Sequence, residues 1–358
     1  MKRWLLAVLC ALVVASPRLP AQSTSPGPPR VHFVATGGTI SNRDSGRLTA
    51  EELAKSMPGV DRYARLTYEQ FANVASSELT LEQWLGLSRR VSEVFASDKD
   101  LAGVVVSSGT DTLEETAFFL HLTVRDPRPV VVVGSMRNPS TLGYEGAANL
   151  LEAVRVAADP GSRNKGALVV MNDEINSARN VTKTDALRLQ TFRSREHGLL
   201  GVVDHDRVVY FSEIAQRHND RVEFDISRIT ELPRVDVIMV YQGAPGDLIK
   251  AAVDAGARGI VIATAGAGAT SGTQSEGLAY AAQKGVFVVT TTRTGSGRIA
   301  PTPPGAPPDP QVTSERQRRR QFTIAGEDHM PLKARILLML ALGKTTNRDE
   351  IQRIFSEY

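Results

Sequence analysis

At 358 residues the chain is long enough for two domains, and 42% apolar against 23% charged residues is the composition of a globular protein, not of a disordered or fibrous one. The formal charge of +3 is carried by the leader: residues 1–21 hold Lys2, Arg3 and Arg18 and no acid, so the remainder has 39 bases against 39 acids. A neutral body argues against nucleic acid as the partner. With Cys10 as the sole cysteine, a chain without its leader has no disulfide, thiolate metal site or cysteine nucleophile.

The N-terminus pairs Lys2 and Arg3 with an apolar run from Trp4 to Ala15, followed by small residues and prolines. The run is too short to span a bilayer as a helix and fits a secretory signal over 1–21, with cleavage after Ala21, giving a periplasmic or secreted protein. Residues 22–30 read as a flexible leader. Short β-branched runs follow at Val31–Thr36, Gly103–Ser107, Val130–Ser135, Ala167–Met171, Val235–Tyr241, Gly259–Thr264 and Val286–Thr291. They are nearly continuous in apolar character, as strands buried on both faces are. Helix-like stretches alternate with them at 81–96, 113–124, 144–158, 247–256 and 276–285. This predicts an α/β fold with a doubly wound, mostly parallel sheet.

The stretch 212–232 breaks that rhythm and reads as a linker between a larger N-terminal domain (31–211) and a smaller C-terminal α/β domain (233–358). Proline-rich 299–310 reads as an extended surface loop, basic 315–321 as a solvated loop or an interface, and 331–343 as an amphipathic helix packing on the core.

Ligands of open parallel sheets bind beyond the carboxyl ends of the strands. Here those ends carry Thr36 and Thr39, then Ser107, Ser108 and Thr110, then Ser135, then Asn172 and Asp173. In "TGGT", Gly37 and Gly38 permit a tight turn at positive φ and close backbone approach to a ligand, but neither dinucleotide nor Walker spacing follows. The stretch reads either as a capped turn or as a ligand-facing one. "SSGTDTLEE" ends a strand and opens a helix with two overlapping capping boxes, Asp111 to Glu114 and Thr112 to Glu115. Asp111 reads equally as a cap or as a partner for an ammonium group beside the hydroxyl of Thr110. A hydroxyl nucleophile needs a base, and no histidine is placed for it. Lys183, in "VTKT", is the best-placed amine, with an ordinary surface lysine as the alternative.

"VATGGTIS", "SGTDTLEETAFFL", "PVVVVGSMR", "ALVVMNDEINSARNVTKT", "GLLGVV" and "KARILLMLAL…IQRIF" together resemble the bacterial L-asparaginase family, in its exported type II branch, over 31–358. The resemblance implies a two-domain asparaginase-like fold and hydrolysis of L-asparagine to L-aspartate and ammonia through a threonine acyl-enzyme, with L-glutamine as a side substrate. It implies Thr39 and Thr110 as the catalytic threonines and Asp111 and Lys183 as partners of Thr110. Asp111 would also bind the substrate amine, Ser76 the α-carboxylate, and the backbone at Ser135 would line the side-chain amide. Ser77 stands where relatives use Gln or Glu on the substrate amine. No metal or organic cofactor is implied, and the assembly would be a homotetramer of intimate dimers.

Four further departures stand out. The segment after Thr39, residues 41–57, has no tyrosine where the family places one on a mobile lid. No Glu precedes Glu315 where a neighbouring subunit usually supplies one, and Gln242 stands without an Asn near "YQGAPGD". Ser108 replaces the usual histidine before "GTDT". These departures support a second reading: an exported acidic-amino-acid binding protein that keeps the pocket without turnover.

Overall fold

The computed structural model describes residues 27–302 and 313–358. The expected signal segment and its cleavage site, most of the leader, and the centre of the proline-rich loop lie outside the described residues.

The larger sheet is built from β1 (Arg30–Gly37), β2 (Arg65–Val74), β3 (Leu101–Ser107), β4 (Val130–Val133), β5 (Ala167–Met171), β6 (Glu174–Ser177), β7 (Gly201–Val203) and β8 (Val208–Tyr210). Their spatial order is β8-β7-β6-β5-β4-β3-β1-β2. Strands β5 to β2 in that order are parallel, whereas β6, β7 and β8 run antiparallel along one side. Valines 104–106 and 131–133 are wholly buried, because helices cover both faces. One face meets α4 (Gly146–Ala158) through Leu150, Ala153 and Val154. The other meets α2 (Leu81–Ser97) and α3 (Leu113–Thr123) through Leu87, Val91 and Leu120.

The β5–β6 connection is a two-residue turn, and Asn172 and Asp173 occupy it with φ of 53° and 64°. Such mirror-image turns demand positive φ at both positions, which Asn and Asp tolerate. Their polarity is thus explained by a hairpin and not by a ligand. β2 was not legible as a strand because "RLTYEQFANV" is an edge strand, largely open to solvent, with polar residues throughout.

The smaller sheet is fully parallel: β9 (Val235–Met239), β10 (Gly259–Thr264), β11 (Phe287–Thr292) and β12 (Thr323–Ala325), in that order. Helix α8 (Pro331–Lys344) departs from the amphipathic expectation. Ile336 to Ala341 are all buried, because the helix lies between the small sheet (Val261, Val289) and the N-terminal lobe (Phe118, Phe119). A helix enclosed on all sides needs no polar face. The irregular stretch 212–232 is also packed: Val222, Phe224, Ile226 and Leu232 join the same cluster. The basic run expected as a loop is a helix, α7 (Ser314–Phe322), with no buried residue. Among the described residues no helix is long and apolar enough to cross a membrane.

Near that inter-lobe cluster two histidines are buried. His121 stacks on His218 and Phe118, and His329 packs against Phe118 and Phe355. Burial first, and then the cations Arg179 and Lys333 among the neighbouring charges, push both to about 3. The folded state therefore holds them neutral, while the unfolded chain protonates them near 6.5. Stability from these two groups is full above pH 6.5 and is lost as pH falls toward 3, at up to about 2.7 kcal/mol per pH unit for two protons. Urea unfolding at pH 7, 6 and 5 should show the midpoint falling steadily across this window.

Candidate functional site

The sheet reverses its winding between β1 and β3: the chain leaves β1 toward β2 on one side and leaves β3 toward β4 on the other. A crevice opens at such a switch point, beyond the carboxyl ends of the two strands. Thr39 follows β1 and Thr110 follows β3. Their strand ends are joined by the hydroxyl of Thr36, which donates to the Ser107 carbonyl at 2.7 Å.

The glycines bring the two turns together. Gly38 has φ of 88°, and a Cβ placed on it would lie 2.2 Å from the amide nitrogen of Gly109. A Cβ on Gly109 would in turn meet Ser76 Oγ at 2.8 Å and Gly38 Cα at 3.1 Å. Two turns thus touch backbone to backbone, with the Ser76 side chain closing on Gly109 from a third loop, and at Gly38 only glycine permits both the dihedral and the approach. Gly134 does the same on the far wall, where a Cβ would stand 2.7 Å from the Ser108 carbonyl and 3.3 Å from Thr110 Cγ2.

Thr110 is buried, and its Oγ1 accepts a hydrogen bond from Lys183 Nζ at 3.1 Å. The same nitrogen donates to Asp111 Oδ1 at 2.7 Å. Lys183 keeps 15% of its side-chain exposure, against 74% for Asp111, so it is no ordinary surface lysine. The neighbouring elements explain why. Lys183 lies on a two-residue strand, Thr182–Lys183, paired only with Phe192–Arg193. The buried carboxylate of Glu114, in the first turn of α3, accepts from Thr182 Oγ1 at 3.0 Å and from the Lys183 amide at 3.1 Å.

The two capping boxes expected at α3 do not form. Thr112 is the N-cap but makes no side-chain cap. Its hydroxyl donates to the Ser76 carbonyl at 3.0 Å, and its amide to Ser76 Oγ at 3.3 Å. Asp111 turns to Lys183 and Glu114 to the lysine strand. Residues that read locally as caps are used instead to tie α3 to two other loops.

Ser76 is buried at the meeting point, whereas Ser77 beside it is exposed. Ser135 is fully buried and its hydroxyl donates to the Arg137 carbonyl at 2.6 Å, so only its backbone is left to face the crevice. That loop is stapled by Glu145, whose carboxylate accepts from the amides of Met136 and Arg137, the latter at 3.3 Å. Asn149 reinforces it, its Nδ2 donating to the Gly134 carbonyl at 3.0 Å.

Thr39 stands half-buried on the opposite wall, at the start of the helical turn Thr39–Ser41. The following segment folds as a small ribbon, Asn42–Arg43 with Gly46–Arg47, and the Asp44 amide donates to Ser140 Oγ at 3.1 Å. It brings no tyrosine. One comes from elsewhere: the hydroxyl of Tyr144 donates to the Ile40 carbonyl at 2.9 Å. Burial pushes its pKa upward, so it stays protonated as a donor. Tyr144 escaped the sequence reading because it lies just ahead of α4, inside a segment read as helix, and 104 residues from its partner.

Family models match both domains of the chain. Residues 30–216 match the family model described as Asparaginase, N-terminal, and residues 234–355 match that of the Glutaminase/Asparaginase C-terminal domain. The chain belongs to the asparaginase family. It is 42% identical to L-asparaginase 2 of Bacillus subtilis (strain 168), over 92% of this chain and 87% of that protein. It is 36% identical to the glutaminase-asparaginase of Pseudomonas fluorescens biotype A, over 92% and 90%. The crystal structure of a probable cytoplasmic L-asparaginase from Campylobacter jejuni superposes with a TM-score of 0.82 at 35% identity, covering 93% of this chain and all of that one.

Two substitutions test the geometry. Gly38→Ala should fold but lose at least 100-fold in kcat, since the added carbon forces the turns apart by an ångström or more and misplacements near 1 Å cost about 10² in rate. Tyr144→Phe removes only the hydrogen bond to the Thr39 turn, and steady-state kinetics should show kcat lowered about 3- to 30-fold with little change in melting temperature.

Proposed function

We propose that this protein hydrolyses L-asparagine to L-aspartate and ammonia in the crevice between Thr39 and Thr110, with L-glutamine as a slower substrate. The observation that carries the reading is Lys183 Nζ within hydrogen-bond distance of both Thr110 Oγ1 and Asp111 Oδ1. That contact supplies what a threonine lacks by itself, a base at its hydroxyl.

In the first half-reaction a threonine hydroxyl adds to the amide carbon, and its proton passes to the Lys183 amine. The tetrahedral intermediate collapses to an ester as that proton leaves with ammonia. Water then adds to the ester by the same relay, releasing aspartate and restoring the hydroxyl. Among the described hydrogen bonds, Thr110 is the threonine with a base attached, and Thr39 faces it as second hydroxyl and candidate acyl carrier. Asp111, exposed beside the crevice, offers its carboxylate to the substrate ammonium, Ser77 stands at that amine, and Ser76 lines the α-carboxylate end. Backbone amides of the Gly109 and Ser135 turns are suited to the oxyanion, a contribution worth about 10²–10³ in rate per donor.

The leader composition supports export of this activity, and a relative from Haemophilus influenzae, 34% identical, is named a probable periplasmic L-asparaginase. We take 212–232 as the connection between the domains and a homotetramer as the working assembly.

The deciding assay is ammonia release by residues 22–358 with L-asparagine. Thr39→Ala, Thr110→Val and Lys183→Met should each lose at least 10³-fold in kcat. If Thr39→Ala alone keeps turnover, Thr110 is the acyl carrier. Wild-type protein that binds aspartate without releasing ammonia would instead identify a binding protein.

A further inference from the structure

A lysine on a two-residue strand has little of its own to hold it in place. The segment leading to it, 178–181, is a tight turn in which the amides of Asn180 and Val181 both donate to the Ser177 carbonyl, at 3.1 and 3.0 Å. Its own carbonyls converge on one atom of the other lobe. Lys333 Nζ donates to the carbonyls of Ala178 at 2.8 Å, Arg179 at 2.9 Å and Val181.

Lys333 is 1% exposed, with the Phe118 ring centroid 5.7 Å from its nitrogen. Three acceptors match the three hydrogens of an ammonium group, whereas a neutral amine would leave one carbonyl without a donor. The placement is otherwise unfavourable. A buried cation is costly, and Lys333 sits in the first turn of α8, where the helix dipole opposes positive charge. Burial lowers its pKa to about 7, and Glu114 opposes that shift. An apolar residue would be the simpler choice in a helix otherwise so apolar, unless the charge has a task.

We propose that Lys333 is a positioning residue for catalysis: by gathering the carbonyls of 178, 179 and 181 it fixes the path of the segment that delivers Lys183 to Thr110 and Asp111. Glu114 holds the same segment from α3, so the lysine strand is clamped between a carboxylate of one lobe and an ammonium of the other. The proposal rests on the reading of Lys183 as the base.

The test is steady-state kinetics with L-asparagine and amide hydrogen exchange on Lys333→Met and the milder Lys333→Gln, with Lys183→Met alongside. The expected result is kcat 10- to 100-fold lower with KM within threefold, faster exchange confined to residues 178–184, and unchanged protection in β3 and β4. The Gln variant, which keeps two N–H donors, should fall between wild type and Met. The proposal is overturned if both Lys333 variants keep kcat within threefold while Lys183→Met is inactive. It is equally overturned if their losses track the fraction unfolded at the assay temperature. Lys183→Met with wild-type turnover would overturn the reading of the site itself.

Discussion

The proposed site depends on two peptide backbones touching. At Gly38 and Gly109 the turns that end neighbouring strands meet with no side chain between them. The sheet supplies the crevice, since its winding reverses there, but a crevice lined by ordinary side chains would hold the two threonines several ångströms farther apart. One glycine beside each threonine, Gly38 before Thr39 and Gly109 before Thr110, removes that spacing. The cost is conformational, because glycine is the residue most expensive to order. The flanking strands offset it by burying continuous valine runs on both faces.

A second constraint acts on Lys183, the proposed base. The threonines sit on long central strands, whereas Lys183 sits on a scrap of ribbon. Its placement is imposed from outside, by Glu114 in one lobe and Lys333 in the other. The buried polar groups of the lobe junction thus contribute geometry more than stability. At Lys333 three carbonyls match the three hydrogens of the ammonium, the condition under which a costly buried charge is suited to that use.

The strand ends and the two threonine turns were legible because buried parallel strands read as unbroken β-branched runs and the turns follow them directly; Lys183 was legible only as a candidate, between two threonines in "VTKT". What stayed hidden is relational. Glu114 and Thr112 satisfy a capping-box pattern, and local pattern alone does not reveal that their side chains serve other loops. Tyr144 acts on a carbonyl 104 residues away, and Lys333 on a turn more than 150 away. Ser135, whose backbone is the part expected at the pocket, spends its hydroxyl on the Arg137 carbonyl. Edge strand β2 lacks the apolar signal because half of it faces water. Helix α8 read as amphipathic because Lys333 and Arg335 interrupt its apolar run, yet both lie against protein: Lys333 is fully buried and the Arg335 Nε donates to the Val235 carbonyl at 3.0 Å.

The glycine contacts also divide the site into regions of unequal evolvability. At 38 and 134 an added carbon collides with main-chain atoms, and at 109 it crowds the Ser76 side chain, so the floor of the crevice tolerates little change. The rim is open. Ser77 is exposed, and Leu142, at 97% exposure, projects from the loop that carries Ser140 and Tyr144. Natural diversification of substrate preference on this scaffold, or a library built to imitate it, has its freedom at that rim, where side chains change without the two turns having to part.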